Sequence, residues 1–195
     1  MSHIERVKEE IRSHWFSDHV AEIEGEEGFQ VIYWREPGTY SYQTKYVLSG
    51  NNVFISGDIG EAVYTLTCAA TLENIKDFGL SYFTGKLSAF CEDRYDFDEK
   101  LAKKELKEYW EEYDMNELED GQEIYDGIIS AIEESSSMES YHAWLMDVYQ
   151  STSADTDFME CVWDFGKKVP HRIIGYWVGL QMVIEQLEGQ NEEMK

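Results

Sequence analysis

Acidic side chains are the residues of this sequence whose number and spacing could do chemistry. Between Glu108 and Gly166, 59 residues contain 17 Asp or Glu and no Lys or Arg. The other 136 residues contain 23 acidic and 16 basic residues, so most of the net charge of −24 lies in this one segment. Carboxylates without neighbouring cations create a strong negative potential, which attracts a positively charged surface and repels phosphates.

The charge density of this segment approaches that of a nucleic acid. A protein of 22.8 kDa exposes roughly 9,600 Å², and a proportional share gives the segment about one net negative charge per ~170 Å². Duplex DNA has about one charge per ~110 Å² of its envelope. The composition therefore favours a surface that mimics a polyanion, although a charged face that serves only solubility gives the same pattern.

Helical spacing predicts which of these acidic residues share a surface. On a helix beginning near Asp98, apolar residues recur every three or four positions and Glu residues fall on the opposite face. A second helix repeats the arrangement, and residues four apart rise about 6 Å, close to the spacing of phosphates on one strand. The predicted partner-binding residues are seven carboxylates and two aromatic anchors: Glu108, Glu111, Glu112, Glu119, Glu123, Asp126, Glu133, Trp110 and Tyr113.

Motifs for other kinds of chemistry are weak. The sequence contains no GxxxxGK[ST], GxGxxG, GxSxG or HExxH motif, and its five His residues lack a metal-ligand spacing, so we expect no cofactor and no metal. Asp98-Glu99-Lys100 has the acid–any–Lys form of metal-dependent nucleases, but it opens a predicted helix instead of ending a strand. A metal-dependent nuclease or nucleic-acid-modifying enzyme is therefore an alternative function.

The N-terminal part of the chain predicts a helix followed by a small sheet. Ser2 and Glu5 have the spacing of a capping box, and apolar residues follow at helical intervals as far as Trp15. β-branched and aromatic residues then predict three antiparallel strands with an aromatic face that a helix must cover. These strands are expected at 29–35, 40–48 and 53–56, with further helices beginning at Asp58 and Thr71 and spanning 82–91.

The C-terminal part predicts helices almost throughout. They are expected from 98, over 118–132, 138–150 and 157–165, and after Pro170, where an almost wholly apolar helix would form the centre of a bundle. Gly175 and Gly179, four residues apart in that helix, allow close packing. The predicted fold class is α+β: an N-terminal helix with a three-stranded antiparallel meander over 1–95 and an acidic helical bundle over 96–195, packed as one compact unit.

Composition also predicts the compartment. Three Cys residues (Cys68, Cys91 and Cys161) are widely spaced without a CxxC pair, which is typical of reduced thiols in a cytosolic protein. No stretch approaches the ~20 apolar residues that a membrane-spanning helix needs. The N-terminus lacks the apolar core of a signal peptide. We therefore expect a cytoplasmic protein that does not associate with a membrane.

Residues 29–100 contain four distinctive runs: Tyr33-Trp34-Arg35-Glu36-Pro37-Gly38-Thr39, Tyr46-Val47-Leu48-Ser49-Gly50, Ser56-Gly57-Asp58-Ile59-Gly60-Glu61-Ala62-Val63-Tyr64 and Leu80-Ser81-Tyr82-Phe83-Thr84-Gly85-Lys86-Leu87. In these runs the chain resembles a family of small proteins carried by phages and mobile elements of Firmicutes. Some phage accessory proteins of similar size and acidity inhibit CRISPR–Cas nucleases, notably Cas9. The resemblance implies a role in phage–host conflict and supplies no site residues.

The function predicted from these observations is inhibition of a host defence nuclease, such as Cas9 or its guide-RNA complex, in the host-cell cytoplasm. The acidic helices would occupy a cationic groove by protein binding, without direct DNA binding and without catalysis. Besides the enzyme alternative, the chain could be an acidic phage adaptor or scaffold. Its interface would then be the aromatic sheet face (Tyr33, Trp34, Tyr42 and Tyr46) or the last helix, and it could form a homodimer.

Overall fold

The computed structural model describes residues 3–113, 120–154 and 156–193. The chain has an α+β fold, as the sequence predicts. It divides into two compact units, one formed by Met1–Asp93 with His171–Lys195 and the other by Arg94–Pro170. We call them the sheet unit and the helical unit.

The sheet unit is built on an antiparallel meander in which each strand pairs with the next along the chain. Its six strands are β1 Val20–Glu26, β2 Phe29–Arg35, β3 Thr44–Ser49, β4 Asn52–Gly57, β5 Ala62–Thr65 and β6 Leu87–Phe90. Side chains alternate across the sheet, so that Ile32, Tyr46 and Ile55 lie opposite one another on the buried face. A predicted meander is therefore present, with six strands instead of three.

The three strands that the sequence did not predict are β1, β5 and β6, and their local sequence patterns explain why. In β1, Glu22 and Glu24 alternate with inward-facing residues, and this acidic edge strand has little β propensity. The helix expected from Asp58 is wrong because Ala62 and Tyr64 alternate inward with period two, forming β5, while the Asp58 carboxylate accepts a hydrogen bond from the backbone NH of Tyr42. The helix expected over 82–91 is split between a short helix and β6.

The helices of both units are, in chain order, α1 His3–Glu10, α2 Leu72–Ile75, α3 Leu80–Gly85, α4 Glu99–Glu112, α5 Gly121–Glu133, α6 Met138–Ser151, α7 Thr156–Val162 and α8 His171–Glu193. α1 continues as a π-helical turn over Ile11–Trp15, close to the predicted end of the first helix. Thr71 caps α2 as expected, because its hydroxyl accepts a hydrogen bond from the backbone NH of Asn74 at 3.2 Å. None of the helices in the described ranges is long and apolar enough to cross a membrane.

The buried face of the sheet is covered by α8, which approaches it unusually closely. The Tyr46 hydroxyl donates to the backbone carbonyl of Tyr176 at 3.1 Å, and the Tyr176 hydroxyl donates to the carbonyl of Ile59 at 3.0 Å. A Cβ at Gly179 would collide with the Tyr46 hydroxyl, and one at Gly175 would come within 2.9 Å of the Trp15 ring. Burial raises the pKa of both tyrosines, so that each hydroxyl remains a donor.

The position of α8 corrects the predicted domain division. The sequence places 171–195 in a helical bundle that begins at residue 96, whereas α8 belongs to the sheet unit. Its apolar residues are buried as predicted, but by the sheet and by the helices of the same unit. The physical reason is that the aromatic sheet face needs an apolar cover. Trp34 and Tyr46, which the adaptor alternative places at an interface, are therefore core residues.

The helical unit contains α4 to α7 and a two-stranded ribbon, β7 Asp96–Phe97 with β8 Lys167–Lys168. The Asp98 carboxylate caps α4 by accepting a hydrogen bond from the backbone NH of Leu101 at 3.0 Å. Ser137 caps α6 in a capping box with Ser140. The apolar faces of the four helices meet in a separate core.

Gly179→Ala should destabilise the protein. The added methyl group must displace the buried Tyr46 hydroxyl or push α8 away from the sheet, so we expect the free energy of unfolding to fall by about 1–3 kcal/mol in urea denaturation. Gly189→Ala, in the same helix but with no heavy atom within 4 Å of the new Cβ, is the matched control. It should raise stability by about 0.5–1 kcal/mol through helix propensity. Equal responses of the two variants would contradict the close packing.

His19 should make stability depend on pH. It is buried beside Phe16 and Trp34, and burial lowers its pKa below the ordinary value of 6.5. The unfolded chain therefore takes up a proton first as pH falls, so this contribution to stability is complete above the ordinary pKa and is lost below it. Urea denaturation at about pH 7.5 and about pH 5.5 should show a larger loss for the wild type than for His19→Phe. An identical pH dependence of the two proteins would refute this role.

Candidate acidic interface in the helical unit

The predicted acidic site lies mainly on α4 and α5, which run antiparallel. Lys103 near the start of α4 meets Glu133 in the last turn of α5, with 2.8 Å between Nζ and Oε1. Each helix buries apolar residues at helical spacing, among them Leu106 of α4 and Ile128 of α5. This periodicity turns the carboxylates outward, since an ionised carboxylate in an apolar core is costly.

All predicted carboxylates within the described residues are exposed: Glu108, Glu111, Glu112, Glu123, Asp126 and Glu133. Glu119 lies outside the described residues. The outward orientation predicted for these side chains is therefore confirmed wherever the structure describes them. Exposure alone does not make them equivalent, because lysines approach some of them and not others.

Three of the carboxylates have lysine partners, although they lie in the Lys-free segment of the sequence. Lys104 lies 3.6 Å from Glu108, Lys107 lies 3.8 Å from Glu111, and Lys103 bridges Glu133 and Glu99 at 2.8 Å each. Helical i,i+4 spacing brings Lys104 and Lys107 to Glu108 and Glu111, whereas Lys103 reaches Glu133, 30 residues away, on the neighbouring helix. Such exposed pairs contribute little stability, but they reduce the local negative potential.

The other three carboxylates, Glu112, Glu123 and Asp126, form no salt bridge with any residue that the structure describes. Asp126 accepts a hydrogen bond from the Gln122 amide at 2.9 Å, which leaves its charge in place. Since the Lys103–Glu133 pair marks one end of the antiparallel helices, these three acids lie toward the opposite end, where α4 ends and α5 begins.

The two predicted aromatic anchors have different environments. Trp110 is only 5% exposed and packs against Tyr125 and Phe158, so it is a core residue and not a partner-binding one. It follows the same apolar periodicity that forms the core of the helical unit. Tyr113 is 58% exposed and stacks on Tyr109 with ring centroids 4.4 Å apart. Of the pair, only Tyr113 is accessible to a partner.

Sequence reasoning missed acidic residues on the next two helices. α6 and α7 contain no Lys or Arg, and four exposed acids lie on them: Glu139, Asp147, Asp157 and Glu160. None of these acids forms a salt bridge within the described part of the chain. These four acids belong to the segment without Lys or Arg, and that absence is the sequence feature that could have identified them as site residues.

Two other acids have local structural roles. The Asp120 carboxylate accepts hydrogen bonds from the Ser153 hydroxyl at 2.6 Å and from its backbone NH at 2.9 Å, which lower the pKa of Asp120. Asp98, the candidate of the nuclease alternative, caps α4 and lies 3.3 Å from Lys168 Nζ, and both contacts lower its pKa. Within the ranges that the structure describes, no group of three or more His, Cys, Asp or Glu residues could hold a metal ion.

Trp110→Ala should destabilise the helical unit by about 3–5 kcal/mol, because it removes a large buried ring from the core. Tyr113→Ala, only three residues further along the chain, should change the free energy of unfolding by less than about 1 kcal/mol, since the ring is largely exposed. Thermal and urea denaturation followed by circular dichroism would measure both. If Trp110→Ala is as mild as Tyr113→Ala, the core assignment is wrong.

Comparisons of the chain with known proteins give no relative. No protein-family model, no curated protein and no solved structure matches it. The resemblance of residues 29–100 to phage proteins therefore stays a prediction. What the acidic helices do must be inferred from their own residues and geometry.

Proposed function

We propose that this chain is a non-enzymatic inhibitor that binds a host defence nuclease, with Cas9 or its guide-RNA complex as the candidate target. The acidic helical unit would enter a Lys- and Arg-lined groove that otherwise holds nucleic acid. The observation that supports this proposal is the absence of Lys and Arg from α5, α6 and α7, whose acidic residues are exposed. The proposal places the protein in the host cytoplasm, where such nucleases act.

The distribution of charge within the helical unit supports a directional interaction. Residues 94–170 contain 21 acidic and seven basic residues, a net charge of −14, and every basic residue lies within 94–107 or 167–168. The chain between those two stretches is therefore uniformly negative. A field of one sign accelerates encounter with a cationic cleft and repels free nucleic acid.

Two carboxylates that form no salt bridge within the described residues occupy positions that cost stability. Glu112 lies in the last turn of α4 and Glu160 in that of α7, and these last turns contain no basic residue. A negative charge at a helix C-terminus opposes the helix dipole by about 0.3–1 kcal/mol. Charges kept where they destabilise the fold are characteristic of binding surfaces.

The two alternative functions have weaker support. For a metal-dependent nuclease, Asp98 is already engaged in capping α4 and pairing with Lys168. For an adaptor that uses the aromatic sheet face, Trp34 and Tyr46 are buried. In contrast, the acidic side chains that would contact a cationic partner are exposed on their helices.

Reversing the charge of Glu112, Glu123 and Asp126 to Lys should weaken binding to the Cas9–guide RNA complex at least about tenfold, because it replaces attraction by repulsion in the groove. Binding would be measured by biolayer interferometry with the full chain, and inhibition by DNA cleavage. A control with Glu9, Glu24 and Glu26 reversed changes the net charge equally but alters exposed acids of the sheet unit. It should retain binding.

Binding should also weaken steeply between about 50 mM and about 200 mM salt, since complementary charged surfaces are screened. A dissociation constant that does not respond to salt would contradict polyanion mimicry. Equal losses in the two triple variants would show that net charge, and not the acidic helices, governs the interaction. Failure of the wild-type protein to bind the complex at all would eliminate Cas9 as the target.

A further inference from the structure

An apolar groove lies between α6 and α7 of the helical unit. It has a volume of about 320 Å³ and is lined by Met146, Tyr149, Thr156, Met159, Glu160 and Trp163. Met146 and Tyr149 are 41% and 38% exposed, which is high for large apolar side chains. Exposed apolar residues grouped in a groove commonly mark an interaction site.

The walls of the groove are held in place by contacts behind and across it. The His142 ring stacks on the Trp163 indole with centroids 4.0 Å apart, and a His142 ring nitrogen lies 3.0 Å from the Trp163 carbonyl oxygen. The Tyr149 hydroxyl and the Thr156 hydroxyl are 3.2 Å apart and join the two helices. The groove is therefore formed before any partner arrives, which reduces the entropic cost of binding.

The charge around the groove has one sign. Among the described residues, Glu160 is the only charged one in the lining, and Asp157 lies one turn earlier on the same face of α7. On α6, Glu139 shares the helix face of His142 and Met146. These three acids make no salt bridge with any described residue; the nearest cation in sequence, Lys167, pairs with Asp164 at 2.9 Å.

We propose that this groove binds a cationic amphipathic segment of a partner protein, in which a large apolar side chain lies beside an arginine. The apolar side chain would contact Met146, Met159 and Trp163, and the guanidinium would bond to the Glu160 carboxylate. Charge complementarity selects this occupant, because the acidic rim repels nucleic acid and anionic lipid surfaces. The inference rests on the proposed function, since it identifies the kind of segment that the acidic unit recognises.

The test uses the whole 195-residue chain and a fluorescently labelled synthetic peptide that forms an amphipathic helix, with leucines on one face and arginines beside them. Two matched peptides replace either every leucine by serine or every arginine by glutamine. Fluorescence anisotropy should show that the Leu/Arg peptide binds at least about tenfold more tightly than either. Glu160→Gln and Met146→Ala should each weaken binding about tenfold or more, because they remove the charge and the apolar contact.

Two control variants separate the groove from general effects. Trp144→Ala removes another exposed aromatic residue of α6, 45% exposed and absent from the lining, and should leave binding unchanged. Glu134→Gln removes an exposed acid after α5 and should also have no effect. Glu160→Gln should not lower the melting temperature, since it removes a charge that opposes the α7 dipole. A folded Glu160→Gln variant therefore reports binding alone.

Three outcomes would overturn the proposal. The Ser/Arg peptide could bind as tightly as the Leu/Arg peptide, which would indicate diffuse charge attraction. Glu160→Gln and Met146→Ala could bind normally, which would place recognition elsewhere. Sedimentation could reveal a dimer that Met146→Ala abolishes and that the peptide does not displace, which would make a second copy the occupant. The α4–α5 triple variant tests the proposed function separately, so its failure is distinguishable from failure of the groove.

Discussion

The cost of burying a carboxylate without a partner is the constraint that organises the helical unit. An ionised carboxylate cannot enter an apolar core unpaired, so every helix that carries Glu or Asp must turn one face to solvent. The buried residues Leu106, Ile128 and Leu145 accordingly define the inner faces of α4, α5 and α6. The outer faces of α5 and α6 then collect negative charge because neither helix contains Lys or Arg. The cost of burying a carboxylate therefore determines both which helix faces form the core of this unit and where its negative charge lies.

The sheet unit has a different constraint, because its aromatic sheet face must be covered by a closely packed helix. Gly179 allows α8 to approach until the Tyr46 hydroxyl reaches the Tyr176 carbonyl. The hydrogen bond satisfies a buried phenol that would otherwise be costly. The edge of the sheet is also held by α8, since the Gln186 side chain accepts a hydrogen bond from the Ala21 backbone NH at 2.8 Å. A helix predicted to be the centre of a bundle thus serves as the cover of a sheet.

The acidic helices differ in how far lysines compensate their carboxylates, which their composition alone does not show. On α4, lysines one turn earlier pair with Glu108 and Glu111, and the face resembles an ordinary solvated helix. On α6 and α7, acids occur without cations and border an apolar groove that contains Glu160. A partner that offers both apolar area and positive charge would gain more from α6 and α7 than from α4, because desolvated charges interact more strongly than exposed ones.

The sequence by itself determined the fold class, the approximate positions of β2 to β4 and of α4 to α7, and the outward orientation of the predicted carboxylates that the structure describes. Each of these follows from local periodicity and capping, which neighbouring residues specify. Tertiary structure alone decided the strand identity of residues 62–65, the burial of Trp110, the membership of α8 in the sheet unit and the groove between α6 and α7. It also brought Lys103 to Glu133, 30 residues away. The reason is physical: periodicity specifies which face of an element is apolar, but only packing specifies what that face meets.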